Sequence, residues 1–185
     1  TRMAQQANPP LPAGFQLDEY FIEHNLTVAG FSIVYVAVDA QGQRVAIKEY
    51  LPNTLALRSE GQTAPIISED HLPAFRYGMK CFFEEGRALA GLSHPNVIRV
   101  LNFFRANETV YMVMEYEIGH TLQELIQKNR AGVTENFIRN VFTKMLNGLR
   151  EVHAHRLLHL DLKPSNIYMR NSHTPVLIDF GAARQ

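Results

Sequence analysis

An acid, a base and a carboxamide share one short stretch, His159-Leu160-Asp161-Leu162-Lys163-Pro164-Ser165-Asn166. Pro164 fixes its own φ and biases Lys163 toward extended backbone, so the stretch reads as loop rather than helix. Downstream, the apolar run Val176-Leu177-Ile178 delivers a second carboxylate, Asp179, straight into the turn Phe180-Gly181. Two carboxylates, a lysine and a carboxamide converging from two strand ends make a site for a hard divalent cation and a polyphosphate. Mg²⁺ suits such a site, because it takes oxygen ligands, usually one or two carboxylates together with substrate phosphates. A zinc site built from His153, His155, His159 and Asp161 is the weaker reading, because no cysteine or further acid joins them.

Composition narrows the setting. The chain has 185 residues, 46% of them hydrophobic, with 18 Lys and Arg against 18 Asp and Glu. That balance offers no electrostatic footing for nucleic acid or an anionic membrane surface. No apolar run approaches a membrane span, and no secretory signal pattern is present. Cys81 stands alone, so no internal disulfide forms and no oxidising compartment is implied. The expected location is the cytoplasm, or the cytoplasmic side of a membrane-attached protein.

The elements that must position these groups can be read from pattern. Residues 20–27, 33–39 and 45–50 form an antiparallel meander, with turns at 28–32 and at Gln41-Gly42-Gln43. Residues 97–104 and 109–116 add two strands joined at Ala106-Asn107-Glu108. Residues 70–92 are helical, because Leu72, Phe75, Met79, Phe82, Leu89 and Leu92 recur on one face. Ser68 or Asp70 caps this helix, and Gly78 and Gly86 each weaken it by roughly 1 kcal/mol relative to alanine. Thr121 and Glu124 make a capping box for a short helix ending by Gly132. Thr134-Glu135 opens the longest helix, with Ile138, Val141, Phe142, Met145, Leu149 and Val152 as its apolar stripe. Between Tyr50 and Ile67 lies a long irregular segment of no evident purpose.

His-x-Asp-Leu-Lys-x-x-Asn followed by Asp-Phe-Gly resembles the catalytic core of protein kinases, in particular bacterial eukaryotic-like Ser/Thr kinases. The upstream parts appear in the order that family requires: Val45-Ala46-Ile47-Lys48, then a helix carrying Glu84 and Glu85, of which Glu85 has the family's spacing to Leu92-Ser93-His94-Pro95-Asn96. The resemblance implies an α+β, two-lobe fold: a five-stranded antiparallel sheet with one helix in residues 15–117, and the front of a mainly helical lobe in 118–185, after a flexible lead over 1–14. It implies ATP and Mg²⁺ as cofactors and a protein substrate. Asp161 would accept the substrate hydroxyl proton and Lys163 would neutralise the γ-phosphate. Asn166 and Asp179 would hold the metal. Lys48, paired with Glu85, would hold the α- and β-phosphates. Val34, Ala46 and Tyr168 would sandwich adenine, Met114 would gate the pocket, and Glu115 and Glu117 would lie on the hinge. Leu89, Val100, His159 and Phe180 would stack as an apolar column.

Three departures stand out. The family's phosphate-covering loop carries three glycines, and here those positions hold Thr27, Ala29 and Ser32, with glycine only at the intervening Gly30. Glycine lets backbone N–H groups approach phosphate closely. Leu160 occupies the position where many kinases carry the arginine that pairs with an activation-loop phosphate, so switching by that route is not expected. The chain also stops just behind Asp-Phe-Gly, where the family continues. The expectation is therefore a truncated catalytic domain whose long helix shows apolar surface, and which self-associates or pairs with another chain. The alternative function is a non-catalytic kinase-like module that binds nucleotide or a partner.

Overall fold

The computed structural model describes residues 7–116, 119–156, 162–171 and 174–178. The chain divides into two compact units, residues 1–86 with 100–116, and residues 87–99 with 117–185. The sequence reading put 87–99 in the first lobe; they pack in the second because this segment ladders onto that unit's sheet. Ile98 N–H donates to the Leu177 carbonyl and Leu177 N–H to that of Asn96, both at 2.9 Å.

The first unit is a six-stranded antiparallel sheet in the order β1-β2-β3-β4-β6-β5. Its strands are β1 (Gln16–Leu17), β2 (Tyr20–Val28), β3 (Ser32–Val38), β4 (Arg44–Tyr50), β5 (Val100–Ala106) and β6 (Thr109–Glu115). Five match the expected strands, three of the meander and two more, and the sixth is the two-residue edge β1. Asn107 and Glu108 both have positive φ, 51° and 59°, as a tight two-residue hairpin turn demands. β4 lies between β3 and β6 and is buried along nearly its whole length, so both of its faces need cover.

Helix α1 (Leu72–Ala90) covers one face. Tyr50, at the end of β4, donates its hydroxyl to the Phe75 carbonyl at 3.0 Å and packs between the rings of Phe75 and Phe82. Gly78 is what allows this approach: a Cβ there would sit 2.1 Å from the Tyr50 hydroxyl oxygen. The glycine that costs the helix some propensity therefore admits the tyrosine that docks it.

The other face is covered by two segments that sequence pattern left without structure. The expected flexible lead over 1–14 is corrected for its described part. Asn8 and Leu11 are buried, and Leu11 N–H donates to the Tyr35 hydroxyl at 2.9 Å. The segment after β4 packs beside it around Arg58, whose guanidinium grips both oxygens of Glu49 at 2.8 Å with neither side chain exposed. Tyr35 donates to the same carboxylate at 2.8 Å, and Tyr111 completes it. The remaining Arg58 donors reach the Pro9 and Thr63 carbonyls. Such a network holds buried charge because every lone pair and proton has a partner.

The second unit holds β7 (His120–Thr121), α2 (Leu122–Lys128), a 3-10 turn at Arg130–Gly132, α3 (Glu135–Ala154), a second 3-10 turn at Pro164–Asn166, β8 (Ile167–Asn171) and β9 (Thr174–Leu177). Thr121 caps α2 by accepting from Glu124 N–H, and Thr134 caps α3 by accepting from Phe137 N–H, both at 3.2 Å. The expected stripe on α3 splits in two. Val141, Met145, Gly148 and Val152 are buried, whereas Ile138, Phe142 and Leu146 face outward. Gly148 permits close packing, since a Cβ there would lie 3.1 Å from the Asn96 carbonyl. Among the described residues, no helix is long and apolar enough to cross a membrane.

Candidate active site

The first unit carries its share of the candidate groups on one sheet face. The register pairs Thr27 with Val34, Val34 with Lys48, and Ala46 with Met114. Side chains alternate along strands, so Val34, Ala46, Lys48 and Met114 lie on the face that α1 covers, and Tyr35, Glu49 and Tyr111 on the reverse. Lys48 is only 8% exposed, and its Nζ lies 5.9 Å above the Phe82 ring. Glu85 is one helical turn beyond Phe82, on the same side of α1, and 9% exposed. Glu84 instead points outward, 3.9 Å from Lys80. Of the two candidate acids, Glu85 is the inward one. Glu115 ends β6, half-buried.

The turn between β2 and β3 is closed by Ala29 N–H donating to the Ser32 carbonyl at 3.0 Å. Thr27 and Ala29 are exposed, and Ser32 is buried. The turn's outer carbonyls are tied to the segment after β4: Leu51 N–H donates to Phe31 at 3.1 Å and Asn53 N–H to Gly30 at 2.8 Å. Sequence pattern gave no sign of that tie.

The second unit carries Lys163, Asn166 and Tyr168. Asn166 N–H donates to the Lys163 carbonyl at 2.8 Å, closing the 3-10 turn that Pro164 begins. Asn166 is buried, while Lys163 stands on the exposed side of the turn. Ile178 N–H donates to the Asn166 carbonyl at 3.4 Å, so the turn carrying Asn166 lies beside the end of the last strand. Tyr168 donates to the Gly119 carbonyl at 2.8 Å. Asp161, Asp179 and Glu117, with His159 and Phe180 of the expected column, lie outside the described residues. Leu89 and Val100, its other members, are both buried.

Sequence reasoning missed the Glu49–Arg58 centre on the reverse face. A signal existed: Glu49 sits inside an apolar central strand, where a carboxylate needs a buried cation, and Arg58 is the one cation between Tyr50 and Ile67. Burial works against the charge on Arg58, but hydrogen bonds to Glu49 and its negative charge outweigh it and hold the guanidinium above its ordinary pKa.

Comparison with known proteins agrees with this architecture. Residues 22–185 match the protein kinase domain. The chain is 31% identical over 172 residues to the cell division control protein 2 homolog 3 of Trypanosoma brucei brucei, covering 91% of this chain and 48% of that protein. It is 35% identical over 112 residues to the serine/threonine-protein kinase B of Synechocystis, covering 60% of this chain and 19% of that protein. The chain thus spans less than half the length of either relative. Among solved structures it resembles the apo form of PpkA-294, with a TM-score of 0.85 and 34% identity over 93% of this chain and 62% of that one. With a family match across nearly its whole length and the kinase fold in its strands and helices, the chain belongs to the protein kinase family.

Proposed function

We propose that this chain carries out ATP- and Mg²⁺-dependent phosphoryl transfer to Ser or Thr hydroxyls of protein substrates. The observation that best supports this is the burial of Lys48 beside Phe82, with Glu85 one turn away on α1. A lysine is kept at such low exposure only where its desolvation is offset, and a cation held against an apolar surface suits a nucleotide's phosphates and base together. Asn166, a buried carboxamide beside the last strand, fits a hard cation that takes oxygen ligands.

In this reading Val34, Ala46 and Tyr168 contact adenine, Met114 borders it, and the backbone of Glu115 and Glu117 hydrogen-bonds it. Thr27, Ala29, Gly30 and Ser32 form the turn over the phosphates. Lys48, oriented by Glu85, holds the α- and β-phosphates. Asp161 accepts the acceptor hydroxyl's proton as its oxygen bonds to the γ-phosphorus and the bond to the ADP oxygen breaks. Lys163 neutralises charge on the transferring group. Asn166 and Asp179 hold Mg²⁺, which supplies further charge neutralisation when bound. The names of the relatives support Ser/Thr acceptors, as does the place of Lys163 two residues after Asp161.

The absence of glycine at 27, 29 and 32 favours a second reading, a kinase-like module that binds nucleotide or a partner without catalysis. Titration with Mg-ATP, beside Asp179→Ala, and phosphotransfer by the full-length protein, beside Asp161→Asn, separate the two. Transfer that Asp161→Asn abolishes supports the enzyme. ATP binding without transfer supports the module, and no binding in either form ends the nucleotide reading.

A further inference from the structure

We propose that the segment following β4 is a strap that pre-sets the 28–32 turn for nucleotide phosphates, with Asn53 and Arg58 as its positioning residues; this rests on the nucleotide-binding reading above. Both carbonyls at the tip of the turn are committed to the strap, Gly30 to Asn53 N–H at 2.8 Å and Phe31 to Leu51 N–H at 3.1 Å. The Phe31 ring meets Tyr50 edge-on at 5.3 Å. The Asn53 side chain borders Gly30, 3.5 Å from where a Cβ would lie.

The strap is itself anchored at the far side of the sheet. Pro52 accepts from the amides of Leu55 and Ala56 at 3.0 and 2.9 Å, making one helical turn. The Asn8 side-chain amide then bridges the next stretch, its NH2 donating to the Ala56 carbonyl at 3.0 Å and its oxygen accepting from Arg58 N–H at 2.9 Å. Arg58 locks into Glu49. Leu57 and Ile66 exchange two backbone hydrogen bonds, at 3.0 and 2.8 Å, and close the loop. An unbroken series of bonded groups runs from the buried Glu49 carboxylate to the Gly30 carbonyl.

This arrangement answers the missing glycines. A glycine-rich loop adapts to phosphate through free φ and the lack of a Cβ. Thr27, Ala29 and Ser32 remove much of that freedom. A turn that does not adapt must already hold the binding geometry, and groups fixed before the ligand arrives spare its affinity the cost of ordering them. A carbonyl held at 2.8 Å by Asn53 is also not available to swing toward an anionic ligand and repel it.

The test compares the full chain with two variants. Asn53→Pro deletes the N–H donated to Gly30 at the first position of a helical turn, where proline's φ is tolerated. Glu49→Gln with Arg58→Met loosens the far anchor without stranding a buried charge. Calorimetric titrations use Mg-ATP and adenosine, which share the base but not the phosphates. Both variants should bind Mg-ATP about fivefold to tenfold more weakly, the scale of one lost hydrogen bond, with adenosine affinity unchanged. Amide hydrogen exchange over 29–32 should also quicken. Unchanged Mg-ATP affinity overturns the proposal, and so does an equal loss for both ligands, which would leave the strap a purely structural part. If the parent chain binds neither ligand, the nucleotide reading fails on its own. Exchange over 29–32 then decides the strap: faster in Asn53→Pro sustains it, and unchanged rejects it.

Discussion

Lys48 and Glu49 are consecutive on β4 and serve opposite faces of one sheet. Lys48 lies under α1 beside Phe82, while Glu49 is sealed on the reverse by Arg58, Tyr35 and Tyr111. One strand therefore carries the candidate phosphate-binding cation and the anchor of the layer behind it. Whatever fixes Glu49 also fixes the backbone that presents Lys48.

The Glu49–Arg58 pair should be costly to break and cheap to replace. Removing one partner leaves an uncompensated buried charge, at about 3–5 kcal/mol, a large part of a typical domain's stability. Arg58→Met alone should lower the free energy of unfolding by that amount. Glu49→Gln with Arg58→Met should be about 2 kcal/mol more stable than Arg58→Met alone, since no charge is then stranded. Urea titration of these three proteins and of Glu49→Gln alone checks this. Additive losses would mean that the two side chains do not act as a pair.

Gly78 and Tyr50 make a steric couple. Gly78→Ala gains roughly 1 kcal/mol of helix propensity, but its Cβ would meet the Tyr50 hydroxyl, and overpacking of this kind costs typically 1–3 kcal/mol. The clash should win, and Gly78→Ala should melt below the parent chain. In a Tyr50→Phe background the 2.1 Å clash is gone and the nearest contact is the ring carbon Cζ at 3.0 Å. The same Gly78→Ala change should then cost clearly less than in the parent chain. Four melting curves give the coupling, and its absence would show that Tyr50 moves aside without cost.

How much of this was legible follows from which forces set each part. The strands and α1 were readable because their apolar residues repeat with the period of the element that buries them. Lys48 and Asn166 could be singled out because their types and order match a chemical task, and the burial of both is what the structure adds. The Arg58 strap has no period. Its order comes from a polar centre whose partners are as far apart as Asn8 and Arg58, 50 positions along the chain, and pattern does not report such pairings. The same limit hid the packing of the lead, since a proline-rich run looks unstructured until the groups that accept its contacts are known. On α3 the period gave the helix but not which apolar side chains find cover.

Tyr35, Tyr50 and Tyr111 should resist ionisation. Burial raises the phenol of Tyr50, pushing it up to about 12, and burial followed by the negative charge of Glu49 raises those of Tyr35 and Tyr111 further. In the unfolded chain each would ionise near its ordinary value of about 10. A phenol that holds its proton more tightly when folded contributes stability that is complete below that pH and lost as pH climbs through the folded value. The fold should therefore hold through pH 9 and weaken steeply from about pH 10 upward. The tyrosinate absorbance of Tyr35, Tyr50 and Tyr111 should appear only together with unfolding. A single smooth titration near 10, with the fold intact, would contradict the burial of these groups.

The split stripe on α3 predicts opposite outcomes for neighbouring substitutions. Phe142 and Leu146 are 62% and 61% exposed, whereas Met145, between them in sequence, is buried. Placing a charge at Met145 buries it without a partner, so Met145→Lys should unfold the chain or cost several kcal/mol. Phe142→Lys and Leu146→Lys change surface positions and should shift stability by about 0.5 kcal/mol or less. They should also change solution behaviour, because Ile138, Phe142 and Leu146 form a contiguous apolar row on one side of the helix. Light scattering of this 185-residue chain should show concentration-dependent association that the double lysine variant abolishes. A parent chain that stays monomeric at high concentration would show that the row is too small to drive self-association.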